Sequence, residues 1–382
     1  MAPAFFSAAA RQTRMTPAAY PLPYCLNVHR ADSWRDLRRA LRTDLLRIRS
    51  LVAPDRPFPI GLYLSASAAA DLDSSPRRLG DFRRWLTANG LFISTLNAFP
   101  AGRFHASALK TNVYRPDWRH PQRLAYTRRC ACLLAALLPE GATASISTVP
   151  GGWARDWRNL PRDSDRALRQ LNAAALTLCR LRAETGRTIR LALEPEPGCI
   201  WTLADPRIEN DLPPEIGWCL DTCHSAVDFR PLPTPRSPLW KRIFRVQLSA
   251  ALEAFNTPEA HEALRAYAEP VYLHQTRLAV NGHILAAWDD LPAALRDLPN
   301  YPARAHIRIH FHVPLTWAGT GPLRSTRAWM SPAFLRTAGQ RVPCEVETYT
   351  YSVFPPALHA AAPDLPHAIA NELEWARRAC FG

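Results

Sequence analysis

Two short apolar runs in the middle of the chain each lead into a carboxylate. Residues 189–193 are followed by Glu194, and residues 216–220 are followed by Asp221. Apolar runs of this length, bounded by Gly and Pro, are typical of strands that are buried on both faces of a parallel sheet. We therefore expect both carboxylates to lie where such strands end.

Two later stretches repeat this arrangement with an oxygen-bearing side chain. The run 244–249 contains Gln247, and the run 344–346 leads into Glu347. Any single one of these residues is better explained as a solvated turn residue or a helix N-cap, but four in equivalent positions favour a shared site. Oxygen-rich sets of this kind bind hard divalent cations such as Mg²⁺ or Mn²⁺. The four predicted mouth residues are Glu194, Asp221, Gln247 and Glu347.

The alternation of side chains along these strands predicts a closed barrel. If Glu194 points inward, the small Ala192 shares its face, and the leucines on either side of Ala192 point outward. Asp221 shares its face with the small Cys219 in the same way. Small residues on the inner face and bulky apolar residues on the outer face fit a parallel barrel surrounded by helices. The carboxylates would then lie at the carboxyl-terminal mouth, where the active sites of such barrels are found.

Alternating strand and helix patterns through the first half of the chain support a (β/α)₈ (TIM) barrel. One helix is indicated after Ser33, its predicted N-cap, by apolar residues that recur at spacings of three and four. After the fifth and sixth strands, segments 197–215 and 228–238 are short and rich in proline, so we expect reduced helices there. The predicted strands up to this point cover 23–28, 60–65, 91–97, 143–148, 189–193 and 216–220, and the later helices cover about 79–88, 120–138 and 162–185.

The segment after the seventh predicted strand contains an insertion. Asn281-Gly282 between two apolar stretches predicts a β-hairpin with a type I′ turn over residues 271–288. The next strand places His310 and His312 on one face. Together with 342–348 this gives nine candidate strands, so one belongs to an insertion. The two histidines are interpreted as substrate contacts or as hydrogen-bonded structure, ahead of a role as metal ligands.

Composition limits the class of protein. We interpret residues 1–18 as a loose extension and residues 19–382 as one barrel domain that ends in a surface helix, and no apolar run approaches the ~20 residues of a membrane helix. The formal charge of +14 is scattered over arginines, so we expect no specific nucleic-acid partner. Nine cysteines without paired CxxC spacing indicate free thiols in a reducing cytoplasm.

Several motifs taken together resemble the EboE metabolite-traffic family. That family is similar to the xylose isomerase-like TIM barrels, which include sugar isomerases, sugar epimerases and a zinc-dependent abasic-site endonuclease. The resemblance therefore implies a barrel of that type. The motifs are YCLNVH (24–29), TLNAFPAGRFH (95–105), SISTVPG (145–151), LALEPEP (191–197), CLDTCH (219–224), VQLSAAL (246–252), HFHVPL (310–315) and EVETYTY (345–351).

The resemblance implies that the four mouth residues hold a divalent metal ion, whether Mn, Mg, Co or Zn. In the epimerase relatives two glutamates exchange a proton with the carbon next to a carbonyl, which implies that Glu194 and Glu347 are the acid/base pair. Those epimerases have a histidine where this chain has Gln247, and a neutral amide is a weaker ligand. The residues predicted to bind substrate are Asn27, His29, Asn97, Glu196, His224, His310 and His312.

Three functions are compatible with these residues. The leading hypothesis is a metal-dependent, sugar isomerase/epimerase-like barrel in a cytoplasmic pathway that prepares a metabolite for export, together with pathway partner proteins. The alternative is a non-catalytic protein that binds and transfers a metabolite, and Gln247 favours it. A nucleic-acid hydrolase would require more histidines at the ends of the early strands. His29 fits that requirement, but Asn97 and Thr148 do not.

Overall fold

The computed structural model describes residues 19–105, 109–359 and 364–382. The extension predicted for residues 1–18 lies outside the described residues. The described strands form two sheets, one parallel and one antiparallel. The strands are β1 (Phe58–Tyr63), β2 (Leu91–Asn97), β3 (Thr143–Thr148), β4 (Thr188–Leu193), β5 (Ile216–Asp221), β6 (Ile243–Leu248), β7 (Ala250–Phe255), β8 (Thr276–Val280), β9 (His283–Trp288), β10 (His306–Val313), β11 (Gly319–Thr320), β12 (Leu323–Ser325) and β13 (Cys344–Val346).

The parallel sheet is a barrel with the strand order β1-β2-β3-β4-β5-β6-β13. Tyr24 and Cys25 fill the gap between the two end strands, because Tyr24 pairs with Val346 and Cys25 pairs with Gly61. The Cys25 amide donates to the Val346 carbonyl at 2.8 Å, and the Gly61 amide donates to the Tyr24 carbonyl at 3.3 Å. The predicted (β/α)₈ barrel is therefore confirmed, with its first strand reduced to two residues.

The predicted extent of that first strand, 23–28, is wrong. Leu26–Val28 forms a 3₁₀ turn, and the His29 amide donates to the Leu26 carbonyl at 3.1 Å. Pro21 and Pro23 have no amide hydrogen, so the segment cannot form a longer ladder with its neighbours. The turn brings Asn27 to the carboxyl-terminal mouth of the barrel.

Helices cover the outside of the barrel except where the sequence predicts that they are reduced. Residues 194–215, all of which are described, contain turns but no helix, and only the short α7 follows β5. The reduced helices are confirmed. The helices are α1 (Trp34–Ala40), which a π turn joins to α2 (Leu46–Val52), α3 (Ala66–Asp73), α4 (Pro76–Ala88), α5 (Pro121–Leu137), α6 (Leu160–Thr185), α7 (Thr222–Val227), α8 (Pro258–Leu264), α9 (Leu291–Asp297), α10 (Pro332–Arg341), α11 (Pro356–His359) and α12 (Leu365–Phe381).

The insertion is a sheet of its own, larger than the hairpin that the sequence predicts. β7 to β12 form a six-stranded antiparallel sheet in the order β11-β12-β7-β10-β8-β9. The β8–β9 hairpin is confirmed, with Asn281 at φ 50° and Gly282 at φ 81°, as a type I′ turn requires. β10, which carries His310 and His312, is the candidate strand that does not belong to the barrel. It packs on α7 and so lies beside the barrel mouth.

The C-terminal helix α12 connects the outer helices to the barrel mouth. It packs against α2 and α10, with Leu373 and Ala376 fully buried. Glu372, also buried, accepts hydrogen bonds from the Leu315 amide and the Thr348 hydroxyl, both at 2.8 Å. Burial raises the pKa of Glu372 to about 7. This carboxyl group therefore holds the side chain of Thr348, the residue directly after Glu347.

Two further properties of the chain are the apolarity of its helices and the state of its cysteines. None of the described helices is both long and apolar enough to cross a lipid bilayer. All nine cysteines are free thiols, and six of them are buried.

Candidate functional site

Three of the four predicted mouth residues lie together at the carboxyl-terminal end of the barrel. Glu194 directly follows β4, Asp221 is the last residue of β5, and Glu347 directly follows β13. Each offers a carboxylate oxygen within 4.8 Å of the other two, and all three side chains are buried. They meet because neighbouring parallel strands end at the same level. We call these residues the carboxylate trio.

One oxygen of each carboxylate in the trio has no hydrogen-bond partner among the residues that the structure describes. These atoms are Glu194 Oε2, Asp221 Oδ2 and Glu347 Oε2. The other oxygens of two members are held in place. Glu347 Oε1 accepts from Asn27 Nδ2 at 2.5 Å, and Asp221 Oδ1 accepts from Ser249 Oγ at 2.9 Å. Unpartnered buried carboxylate oxygens are costly, and a divalent cation bound by the three clustered carboxylates would satisfy them.

The trio is electrostatically strained without a cation. Burial raises the pKa of Glu194 to about 7, and the nearby Asp221 carboxylate adds to the increase. Burial, followed by repulsion from Glu194 and Asp221, raises the pKa of Glu347 well above its usual range. The metal-free site therefore retains protons near neutral pH, and a bound dication would displace them.

The raised pKa of Glu194 predicts that this residue contributes less to the stability of the metal-free protein as pH increases. Between pH 4.5 and about 7 the Glu194 carboxyl is ionised in the unfolded chain but protonated in the folded one. Raising the pH through this range therefore shifts the Glu194 contribution toward the unfolded state, by about 1.4 kcal/mol for each unit of difference between the two pKa values. We expect the free energy of unfolding of chelator-treated wild type, measured in urea relative to chelator-treated Glu194→Gln, to fall across this range. The comparison cancels the opposite effect of His105 and His312, whose pKa values burial lowers to about 4.

Glu194→Gln is the matched variant for this prediction. The amide does not titrate, so the variant should show a shallower pH dependence than the metal-free wild type. An equal slope in both proteins would show that Glu194 does not keep its proton on folding.

Gln247, the fourth predicted mouth residue, lies on β6 next to Asp221 in register. Its Oε1 atom accepts a hydrogen bond from Cys219 Sγ at 2.8 Å, so the atom that would bind a metal ion already has a partner. Its Nε2 atom is buried and has no hydrogen-bond partner among the described residues, but an amide N–H group has no lone pair with which to bind a cation. The structure therefore brings Gln247 close to the trio but gives its oxygen a different contact.

Two predicted substrate-binding histidines contact each other above the trio. His224 Nε2 and His310 Nε2 are 3.0 Å apart. His310 Nδ1 lies 2.7 Å from Gln275 Oε1, and Gln275 is oriented by donating from Nε2 to the Pro197 carbonyl at 2.9 Å. His310 Nδ1 therefore carries the hydrogen, and His310 Nε2 is the acceptor in the contact with His224.

His224 is consequently protonated on both ring nitrogens. Its Nδ1 atom donates to the Pro195 carbonyl at 3.0 Å, and its Nε2 atom donates to His310. Burial lowers the pKa of His224, but attraction to Asp221 and the nearby glutamates outweighs burial and raises that pKa above its usual value. An imidazolium at this position is not a metal ligand. It suits an electron-rich oxygen of a substrate.

A pocket opens directly over these groups. It contains about 490 Å³ of space between atoms, part of which is open to solvent. His29 lies elsewhere, within hydrogen-bonding distance of the Tyr24 hydroxyl at 2.9 Å and 3.3 Å from the Asp44 carboxylate. The structure therefore separates His29 from the other predicted substrate-binding residues. Those that line the pocket are Asn27, Asn97, Glu196, His224, His310 and His312.

Comparison with known proteins identifies no family for the chain. No family model matches it, and no curated protein matches it. The EboE resemblance stays a prediction.

Several solved structures are similar to it. An IolI protein with a bound zinc atom is 13% identical, covering 94% of this chain and 97% of that one, with a TM-score of 0.48. A xylose isomerase domain protein from Planctomyces limnophilus is 12% identical, covering 87% and 90%, with a TM-score of 0.48. A D-psicose 3-epimerase from Clostridium cellulolyticum H10, solved with D-tagatose, is 11% identical, covering 92% and 96%, with a TM-score of 0.47.

The predicted site residues leave out several side chains that complete or orient the pocket, although the long, aromatic-rich loop that contains Tyr114 is typical of a functional segment. The Tyr114 hydroxyl donates to Glu196 Oε1 at 2.6 Å, and Gln275 Nε2 donates to the same hydroxyl at 2.6 Å. Tyr272 and Gln275 come from the insertion, where no strand-end pattern marks them. Tyr349 lies two residues after Glu347 within the quoted EVETYTY motif, which is a signal that could have identified it.

A buried ion pair fills the barrel directly below the trio. Arg245 and Glu345 are both inaccessible to solvent and form a salt bridge. Thr95 Oγ1 donates to Glu345 Oε2 at 2.5 Å, and Arg245 Nη1 donates to the Leu96 carbonyl at 3.0 Å. Each charged residue lies two positions before a predicted mouth residue, so the period of two could have placed both inside the barrel.

Proposed function

We propose that this chain is a divalent-metal-dependent barrel protein that acts on a small polyhydroxylated or carbonyl metabolite, in the manner of sugar isomerases and epimerases. The observation that carries the proposal is the carboxylate trio, in which three buried carboxylates, each with one unpartnered oxygen, cluster beside a pocket that Glu194 and Glu347 line. We infer that the ion is Mn, Mg, Co or Zn.

The positions of the trio within the pocket suggest different roles for its members. Glu194 and Glu347 line the pocket, whereas Asp221 does not. We assign Asp221 to metal binding alone, and the two glutamates also to proton transfer at the carbon next to a substrate carbonyl. A bound divalent ion would polarise that carbonyl and make the adjacent proton more acidic.

The surroundings of the two glutamates suit this task. A pKa of about 7 allows Glu194 to take up or release a proton near neutral pH. Asn27 and Asn97 both donate to Glu347 Oε1, at 2.5 and 3.4 Å, and so leave Glu347 Oε2 directed to the site. Both N–H groups of His224 already donate, to the Pro195 carbonyl and to His310, so its positive charge would act on an electron-rich substrate oxygen by electrostatic attraction.

Isotope exchange tests this function. A panel of ketoses and ketose phosphates is incubated in D₂O with the metal-loaded protein, and proton NMR follows exchange at the carbon next to the carbonyl. We expect exchange with at least one member, and a loss of about 10²-fold or more in Glu194→Gln and in Glu347→Gln. Chelator-treated wild type is the control. A protein that binds both ion and ketose but exchanges no deuterium contradicts the catalytic part of the proposal.

A second candidate function is a non-catalytic protein that binds and transfers its metabolite. The observation that favours it is Gln247, whose oxygen is engaged by Cys219 rather than free to bind a metal ion. Ketose binding measured by calorimetry with and without chelator distinguishes the two functions. Binding that is unchanged after metal removal would support the transfer function.

The remaining parts of the proposal rest on the motif resemblance. We place the protein in the cytoplasm, in a pathway that prepares a metabolite for export with partner proteins. A nucleic-acid hydrolase is not proposed, because the early strands end in Asn97 and Thr148, where that class of enzyme would require histidines. Incubation with abasic DNA and divalent metal should therefore produce no cleavage.

A further inference from the structure

The barrel itself supplies only carboxylates to the proposed metal site. The Gln247 oxygen accepts a hydrogen bond from Cys219, so Gln247 does not supply the trio with a fourth ligand. We propose that His312, from the insertion strand β10, is the fourth protein ligand of the ion held by Glu194, Asp221 and Glu347. This inference rests on the proposed function, because it completes the same metal site.

The His312 ring has one free nitrogen at the site. Its Nδ1 atom lies 2.8 Å from the Glu347 carbonyl, which can only accept, so Nδ1 carries the hydrogen. Its Nε2 atom is buried and has no hydrogen-bond partner among residues 19–105, 109–359 and 364–382. His312 offers a ligand atom within 4.8 Å of atoms of Asp221 and His224, and Asp221 in turn offers one within 4.8 Å of Glu194 and Glu347, so Asp221 is the residue that links His312 to the trio. A shared cation would satisfy both the lone pair of His312 Nε2 and the unpartnered oxygen of Asp221.

The hydrogen bond that His312 Nδ1 makes is of the kind that metal-binding histidines make. Metal-binding histidines usually donate their second ring N–H to a carbonyl or carboxylate, which fixes the tautomer and the orientation of the ring. Here the acceptor is the peptide carbonyl of Glu347, itself a member of the trio. One residue would thus contribute a carboxylate to the ion and position the imidazole ligand.

The neighbouring histidines do not compete for this role. The lone pair of His310 Nε2 accepts from His224, and both nitrogens of His224 donate hydrogen bonds. The one group of potential ligands in the described residues that contains both rings, Glu196 with His224 and His310, therefore has no free imidazole lone pair, although its atoms are close together. Among the three histidines of the pocket, only His312 retains one.

This ligand set changes the expected ion and the role of the insertion. Three carboxylates with one imidazole favour Zn²⁺, Co²⁺ or Mn²⁺ over Mg²⁺, which prefers oxygen alone. The ion would also connect the barrel to the antiparallel sheet, because its ligands come from both. The insertion thereby becomes part of the metal site.

The test replaces one ring at a time by asparagine. His312→Asn retains an N–H group close to the position of Nδ1, where it can still donate to the Glu347 carbonyl, but it removes Nε2. His310→Asn is the matched control from the same face of β10. Each protein is loaded with Cu²⁺, and pulsed EPR detects the remote ring nitrogen of a coordinated imidazole. Calorimetry with Zn²⁺ measures affinity in parallel.

We expect the imidazole signal in the wild type and in His310→Asn, and its loss in His312→Asn, where Zn²⁺ affinity falls about tenfold or more. A wild-type protein that binds the ion without an imidazole signal, or a His312→Asn protein that keeps the signal, overturns this inference and leaves the proposed function standing. A wild type that binds no ion overturns both. If His312→Asn does not fold, a signal that survives in both His224→Asn and His310→Asn supports His312, and its loss in either contradicts it.

Discussion

Asp221→Asn combined with Glu347→Gln is expected to abolish divalent metal binding. Purified wild-type protein should contain about one tightly bound divalent ion per chain. The two substitutions conserve shape but remove two of the three clustered carboxylates, each of which has one unpartnered oxygen. Each loss should exceed the 10- to 100-fold decrease in affinity that is typical when a group supporting a ligand is changed. Elemental analysis of extensively dialysed protein measures the effect.

Glu196→Gln is the control for the double variant. Glu196 is another carboxylate at the same mouth, but its Oε1 atom accepts a hydrogen bond from the Tyr114 hydroxyl at 2.6 Å. Its substitution should leave about one ion bound per chain. Equal metal content in the double variant and the wild type would show that the trio is not the metal site.

Arg245→Met is expected to destabilise the protein by about 3–5 kcal/mol, because it leaves the Glu345 carboxylate buried without its counter-ion. Both side chains are completely inaccessible to solvent inside the barrel. Space is also limited there, since a Cβ atom on Gly61 would lie 2.6 Å from Glu345 Oε2. The free energy of unfolding in urea is the measurement.

Two variants separate the buried charge from a general loss of packing. Arg245→Met combined with Glu345→Gln removes the unpaired charge and should be more stable than Arg245→Met alone. Arg265→Met breaks the exposed pair with Glu262, 3.0 Å apart, and should cost less than about 1 kcal/mol. If the double variant is no more stable than the single one, the barrel tolerates an isolated carboxylate at this position.

Local sequence patterns are sufficient to predict the barrel and the carboxylate trio. The observed β2 and β3 have the predicted bounds, because a glycine lies within two residues before each strand and a proline lies within three residues after it. Parallel strands end at one edge, so the convergence of Glu194, Asp221 and Glu347 follows from the position of each at the end of its strand. No long-range information is needed for this step.

The contacts across the mouth could not be predicted in the same way. β10 reaches the site because it pairs with β7 and β8 in an antiparallel sheet, and those pairings join residues that are far apart in the sequence. The orientations of the His310 and His312 rings depend on Gln275 and on the Glu347 carbonyl. The periodicity of apolar residues in the sequence indicates neither of these two contacts. The bounds of the first strand could not be predicted for a different reason. The apolar pattern there continues into residues that form a 3₁₀ turn.

Anomalous diffraction from crystals grown with Zn²⁺ or Mn²⁺ tests the central claim most directly. We predict one strong peak at the barrel mouth, about 2.0–2.3 Å from oxygens of Glu194, Asp221 and Glu347. A peak bound only by other residues, or no peak at the trio in crystals that bind the ion elsewhere, would contradict the proposed metal site.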